Sequence, residues 1–459
     1  MKKLIGSRLF YKEVIAIIIP IMIQQGITTF VGLLDNIMVG RLNVDAIAGV
    51  SIANQIIFIV TIALVGGLAG PGIFIAQYYG AKDEEALKQA FRAKMILAVI
   101  ITVVSMTVLF IFGETFVRAF AKNDDQSLGV YNETVIRYGL DYLRVITLGL
   151  PFLAGVQLYA STFREVAQTK VPMFAGIISV LVNLTFNWML IFGFMGFPRL
   201  EVQGAAIATF IARIVEFGIL IIIAYKYKLV FTQGIFHQFK IEKKRFKNLV
   251  KKSLPLLTNE LLWSSSMTIL LWAYSQRGTS VTAAYNISNT VANLFFIIFG
   301  ALATGIAVMV GNELGANQIE KAKDNAFKLL FFSVIVCLGF GAILAVIAPF
   351  VPYLYNVTQS VRDQATQFMW VISGLMWIFA FNAGCFFILR AGGLVLTTLF
   401  FDSFFAWIVI LPIAVILSLY TTIPVIVIYL AAEATNIIKA FIGFHIVKKG
   451  KWAKNLTHN

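Results

Sequence analysis

Twelve apolar stretches of roughly 20 residues or more follow one another along this chain, separated by short polar breaks. A stretch of that length crosses the hydrocarbon core of a bilayer as a helix, and only helices or closed barrels satisfy every backbone group there. The stretches are read at 14–40, 46–79, 92–112, 136–163, 171–194, 203–226, 254–276, 282–314, 327–349, 365–389, 394–419 and 424–446. Of the 459 residues, 59% are hydrophobic and 13% charged, whereas a soluble domain carries about 25% charged residues. The expected class is an all-α polytopic membrane protein. The basic start MKKLIGSRLFYKE leads into an apolar run too long for a signal peptide and without a small-residue cleavage site, so the first helix is expected to stay.

The net charge of +15 does not gather into a nucleic-acid patch. With twelve spans, the first residues, the 80–94 loop, 164–170, 226–252, 316–328, Arg390 and the tail fall on one side of the membrane. That side holds about 28 of the 37 Lys and Arg, the asymmetry of cytoplasmic loops. Both termini are then cytoplasmic, in a multi-pass protein of the cell (inner) membrane. The longest polar segment, Phe231 to Lys252, divides the spans six and six: an N-lobe at 1–230, a basic cytoplasmic linker at 231–252 and a C-lobe with its tail at 253–459. The linker is expected to be a solvated loop or a helix lying on anionic lipid. Pro172, Pro255, Pro349 and Pro424 are read at or near span ends, where proline is tolerated. Cys337 and Cys385 read as small buried hydrophobes. None of His237, His445 and His458 is placed for intramembrane chemistry.

The two halves resemble each other. At a constant offset of 235 positions Pro20 meets Pro255, Ile52 meets Ile287, Asn54 meets Asn289, Gly70 meets Gly305, and Gly80-Ala81 meets Gly315-Ala316. Farther on, the residues around Arg164 match those around Arg390. The chain therefore reads as a duplicated six-helix unit. Six spans per half preserve orientation, the parallel-repeat plan of transporters that bind substrate and coupling ion near the midplane.

Within the first span, Asp35 is a carboxylate in an otherwise apolar helix. At about 100° per residue, Gln24 and Thr28 fall within about 20° of it, forming one polar stripe. A charge at bilayer depth costs at least about 2.5–3.5 kcal/mol, so it normally faces water or a partner. Protonation or a bound cation would remove most of that cost. The alternative is that Asp35 caps its helix near the headgroups. Pro20 places a kink point below the stripe. In the fifth span Ser179, Asn183 and Asn187 recur at i, i+4 and i+8, and the two amides could complete a cation or proton site with Asp35, or glue helices together.

Glu260 and Asp402 lie at similar depth in spans 7 and 11, the counterparts of spans 1 and 5. As neighbours they would share a proton or a cation, or else sit at a wet vestibule. Asp141, Glu216 and Glu433 are further intramembrane acids. Asn54 and its counterpart Asn289, with Trp377 and Phe386, are candidates to line a cavity for flat cationic molecules, by stacking and cation–π attraction; the alternative is helix packing and lipid contact. There is no HExxH, GxSxG or Walker A motif, so neither a common hydrolase nor an ATP-driven pump is supported, and no cofactor is expected.

The segment LLDNIMVGRL, the IANQ and GxxxGA pattern around span 2, REVAQTKVPMF after span 4 and ILRAGG after span 10 resemble the multidrug and toxic compound extrusion (MATE) family over nearly the whole chain. The resemblance implies two pseudo-symmetric six-helix lobes around a central cleft, and export of drugs or toxic organic cations in exchange for Na+ or H+, by a monomer embedded in lipid. It also implies that Asp35 is the first-helix acid to which coupling is assigned, and the place a Na+ would bind. Asn183 stands where some members carry a second acid, and Arg390 begins RAGGLV where many read RAGGDT. Two other functions remain: a flippase for lipid-linked saccharides with the same two-lobe plan, and a membrane protein that does not transport.

Overall fold

The computed structural model describes residues 4–42, 44–120, 133–235, 241–355 and 357–457; His237 and His458 lie outside them, as do linker residues 236–240. The helices are α1 (Arg8–Gly40), α2 (Val44–Ala81), α3 (Glu84–Phe120), α4 (Glu133–Glu165), α5 (Lys170–Phe192), α6 (Glu201–Lys226), α7 (Lys243–Ser275), α8 (Thr279–Gly315), α9 (Ile319–Ile347) and α10 (Gln359–Ala391). The last two spans are continuous helices with local irregularities. Val395–Tyr420 is built of α11 (Val395–Leu399), two π-helical turns (Phe400–Phe404 and Ala406–Ile410) and α12 (Leu411–Tyr420). The final span is α13 (Val425–Ala434) and α14 (Asn436–Lys448), joined through Thr435, whose backbone stays in the right-handed helical region.

Among the described residues, eleven helices are long and apolar enough to cross a membrane. The exception is α7, where Asn259, Glu260 and Ser264 to Ser266 interrupt the apolar run. This helix also corrects the reading of the linker. It begins at Lys243 and continues unbroken through Pro255, so the last ten residues of the segment at 231–252 are its opening turns and Pro255 lies inside a helix rather than at its end. The local reason is amphipathicity: Leu249 is fully buried while Lys243, Lys244 and Lys251 face outward. Pro20, Pro71 and Pro151 likewise sit within helices.

The chain divides into two compact units, and neither coincides with a sequence half. One comprises Met1–Met22, Ala76–Asp83 and Leu254–Asn459; the other comprises Ile23–Ile75 and Glu84–Ser253. The boundary in α1 falls two residues beyond Pro20 and that in α2 four residues beyond Pro71. Close approaches at glycines show why each half lends a helix segment to the other unit. In the second unit, a Cβ on Gly70 would strike Ser253 of α7; in the first, a Cβ on Gly305 would strike Ile18 of α1. These contacts are copies of each other, because Ser253 and Ile18 are also 235 positions apart. The same holds within the first unit, where Cβ atoms on Gly80 and Gly315 would overlap the carbonyls of Asn312 and Gln77 respectively. The repeat read from sequence is thus present as paired helix crossings.

Among the described residues, the first unit shows two apolar cores. One joins Phe10, Val14, Ile18 and Ile21 of α1 to α8, α9 and α10, and the other is centred on Tyr274, Tyr285, Phe368 and Tyr429. The chain's end locks onto the first core. Trp452 is fully buried, and Gln77 donates to the carbonyls of Ala391 (2.8 Å) and Lys454 (3.3 Å) while accepting from the Leu456 amide at 2.6 Å. The second unit's core runs from Val39 and Val50 through Leu143 and Ile146 to Ile191 and Ala206. Cys337 and Cys385 are buried and unbridged.

Candidate functional site

The face of α5 carrying Ser179, Asn183 and Asn187 is buried, and all three side chains reach out of their own helix. Ser179 donates to the Ala212 carbonyl (3.0 Å) and Asn183 Nδ2 to Thr209 Oγ1 (3.2 Å), both on α6. Asn187 Nδ2 donates to Asp35 Oδ1 (2.5 Å) and to Asn183 Oδ1 (3.1 Å). The structure therefore brings together Asp35, Asn183 and Asn187, residues singled out separately in the sequence. Asn187 is wholly buried, and with both of its N–H groups engaged its Oδ1 has no hydrogen-bond partner. A buried acceptor left in that state costs about 1–3 kcal/mol.

The surrounding charges sharpen this. Arg213, one turn along α6 from Thr209, attracts Asp35 but is held by Glu216 at 2.7 Å. Among the described residues Asp35 joins no ion pair, and its donor is a neutral amide. A second ion pair in the same unit, Lys94 with Glu165 at 2.7 Å, is also closed, with Thr162 accepting from the ammonium. The ligand atoms offered around Asp35 are all oxygens, which suits a hard monovalent cation or a proton. Among the described residues no three His, Cys, Asp or Glu side chains gather to hold a metal ion.

The remaining sequence candidates separate. Gln24 is half-buried and accepts from Arg164 Nη1 at 3.4 Å; Thr28 is exposed and its hydroxyl returns to the Gln24 carbonyl. Glu260 and Asp402 are electrostatic neighbours, yet each has its own cation rather than a shared proton. Arg390 lies 3.7 Å from Glu260, and Lys439 lies 2.6 Å from Asp402, which also accepts from Asn259 Nδ2 at 3.3 Å. The partners are 130 and 37 residues away in sequence, beyond the reach of helical periodicity. Asn54 is exposed, Asn289 bonds the Tyr285 hydroxyl, and Trp377 is exposed. Phe386 belongs to the apolar core, at 5.3 Å from the Phe387 ring, so it packs the unit rather than lining an open cavity. Sequence reading missed the Arg213–Glu216 pair, although their i, i+3 spacing in an apolar helix was the available signal.

Fold and site together define a polytopic helical membrane protein of duplicated plan with a carboxylate, Asp35, on its first helix. The MatE family model matches residues 20–189 and 255–416, and the chain belongs to that family. It is 26% identical over 450 residues to the probable multidrug resistance protein YoeA of Bacillus subtilis (strain 168), covering 95% of this chain and 93% of that protein. It is 21% identical over 450 residues to the probable multidrug resistance protein NorM of Thermotoga maritima, covering 96% and 93%. A solved outward-facing conformation of a multidrug resistance MATE family transporter superposes with a TM-score of 0.86 at 20% identity, covering 96% of both chains.

Proposed function

We propose that this protein is a secondary active efflux antiporter that exports organic cations or other amphipathic compounds in exchange for Na+ or H+, with Asp35 as the coupling carboxylate. The observation that carries the reading is the Asp35–Asn187 pair: a carboxylate that joins no ion pair among the described residues, beside a fully buried amide whose oxygen has no hydrogen-bond partner among them. A cation entering there gains the carboxylate and the Asn187 oxygen at once, with Asn183 and Thr209 holding the amide in place. The names of the relatives, multidrug resistance proteins, support the substrate class. The Lys and Arg asymmetry supports a cell-membrane protein with both termini in the cytoplasm.

Coupling follows from differential affinity. Cation occupancy or protonation of Asp35 removes its negative charge and alters the end of α1 beyond Pro20, favouring release of bound compound outside. Membrane potential supplies about 2.3 kcal/mol per charge per 100 mV, enough for a useful gradient when one or two ions exchange. The test is ion-gradient-driven ethidium efflux in reconstituted vesicles. Asp35→Asn is expected to abolish the gradient-driven component, and undiminished efflux by that variant rejects the assignment.

A further inference from the structure

Each half of the chain ends in a segment that folds back on its own bundle, but the two copies do different things. After α6, Lys228 turns the backbone with a φ of 46°, and residues 229–235 lie against α3 of the same half. Phe231 is buried with its ring 5.0 Å from that of Phe91, and the Ile235 carbonyl accepts from Arg92 Nε at 3.1 Å. After α14, Gly450 turns the backbone with a φ of 69°, and Trp452 is fully buried, its indole N–H donating to the Val447 carbonyl of its own helix at 2.9 Å. As far as Trp452, the tail covers its own bundle as its counterpart does.

Residues 454–457 go further and reach Gln77, in the stretch of α2 that belongs to the first unit. Gln77 is fully buried: its amide donates to the carbonyls of Ala391 at 2.8 Å and Lys454 at 3.3 Å, and its Oε1 accepts from the Leu456 amide at 2.6 Å. Asn455 Nδ2 donates to the Gly315 carbonyl, at the end of α8, at 3.4 Å. The last residues thus grip α2 and α8 at the crossing where Gly80 and Gly315 let the two backbones meet. At the offset of 235 the counterpart of Gln77 is Asn312, whose buried Oδ1 has no hydrogen-bond partner among the described residues. The grip exists in one copy of the repeat, so packing of the repeat does not require it. The tail's two parts also differ in hold. Trp452 is anchored by a large buried surface, whereas 454–457 hold Gln77 and Gly315 through three hydrogen bonds between neutral groups, which exchange readily for water.

We propose that residues 454–457 are a releasable strap: attached, they keep the crossing of α2 and α8 shut, and detached, with Trp452 still in place, they let the end of α2 leave α8. The strap's part in transport rests on the antiporter reading above, in which opening this crossing admits compound from the side on which the tail lies.

The test is thiol accessibility in lipid nanodiscs, which expose both faces, without ion gradient or compound. Ala76 is 5% exposed and lies at the crossing, where a Cβ on Gly311 would stand 3.1 Å from its own Cβ, so Ala76→Cys reports opening to a membrane-impermeant maleimide. The native Cys337 and Cys385, both buried in the same unit, report general loosening. Ending the chain after Ala453, or Gln77→Met, is expected to raise the labelling rate at position 76 on the order of fivefold or more, the effect of about one hydrogen bond between neutral groups, with Cys337 and Cys385 unlabelled. Combining the two changes is expected to do no more than either alone, because they remove the same contact. A rate within about twofold of the full chain in both variants overturns the strap, and so does labelling of Cys337 and Cys385 in step with position 76. Should Ala76→Cys not fold, amide hydrogen exchange over 76–83 in protein without that change decides: faster exchange on shortening the tail supports the strap, and unchanged exchange overturns it. Neither ion nor compound takes part, so failure here leaves the exchanger reading standing, and Asp35→Asn decides that reading separately.

Discussion

Replacing Asn187 by alanine isolates the environment of Asp35 without touching the carboxylate. Two of its bonds are lost, to Asp35 and to Asn183, together with the unpartnered amide oxygen. A hydrogen bond to a charged group contributes about 1.5–3 kcal/mol, which corresponds to roughly a 10- to 150-fold change in a binding constant. The N–H donation steadies the carboxylate and orients the amide, so a cation loses both a ligand and a preorganised partner. The half-saturating Na+ concentration for ethidium efflux in vesicles is therefore expected to rise by at least tenfold in Asn187→Ala, with the maximal rate affected less. Gln203→Ala, at an exposed position in the same unit, is the control and should leave it unchanged. An Asn187→Ala protein that stays within twofold of wild type (about 0.4 kcal/mol) refutes the idea that this amide serves the Asp35 site.

Two structural predictions follow from buried groups outside the site. Lys94→Met removes a fully buried ammonium from its ion pair with the half-buried Glu165, and should lower the thermal midpoint in detergent more than replacing the exposed Lys226 does. Trp452→Ala removes a fully buried indole that donates to the Val447 carbonyl at 2.9 Å, at a cost of about 3–5 kcal/mol. Unfolding should begin at a lower temperature, and protease should gain access to the tail.

The parts of this architecture visible in sequence are those with a short period or a long constant register. Ser179, Asn183 and Asn187 announce a shared face because four-residue spacing is one helical turn, and the structure places two of them with Asp35. The register of 235 was legible at Gly80 and Gly315 because close backbone approach excludes a side chain at both copies. What could not be read is who meets whom across helices. Glu260 and Asp402 read as neighbours that share a proton or a cation, or sit at a wet vestibule, whereas their ion pairs with Arg390 and Lys439 join residues 130 and 37 positions apart, which periodicity does not show. The exchange of helix segments between units was equally invisible, since apolar faces of α1 and α7 do not name the helix they pack against.

Reversing the driving force tests the exchanger most directly. Vesicles with equal Na+ and equal pH on both sides are loaded with ethidium, and tracer Na+ and internal pH are followed as the compound moves down its gradient. Uphill movement of Na+ or H+ in the opposite direction, lost in Asp35→Asn, is the predicted result. Ethidium crossing with no counter-movement of either ion would contradict the assignment of exchange to this carboxylate.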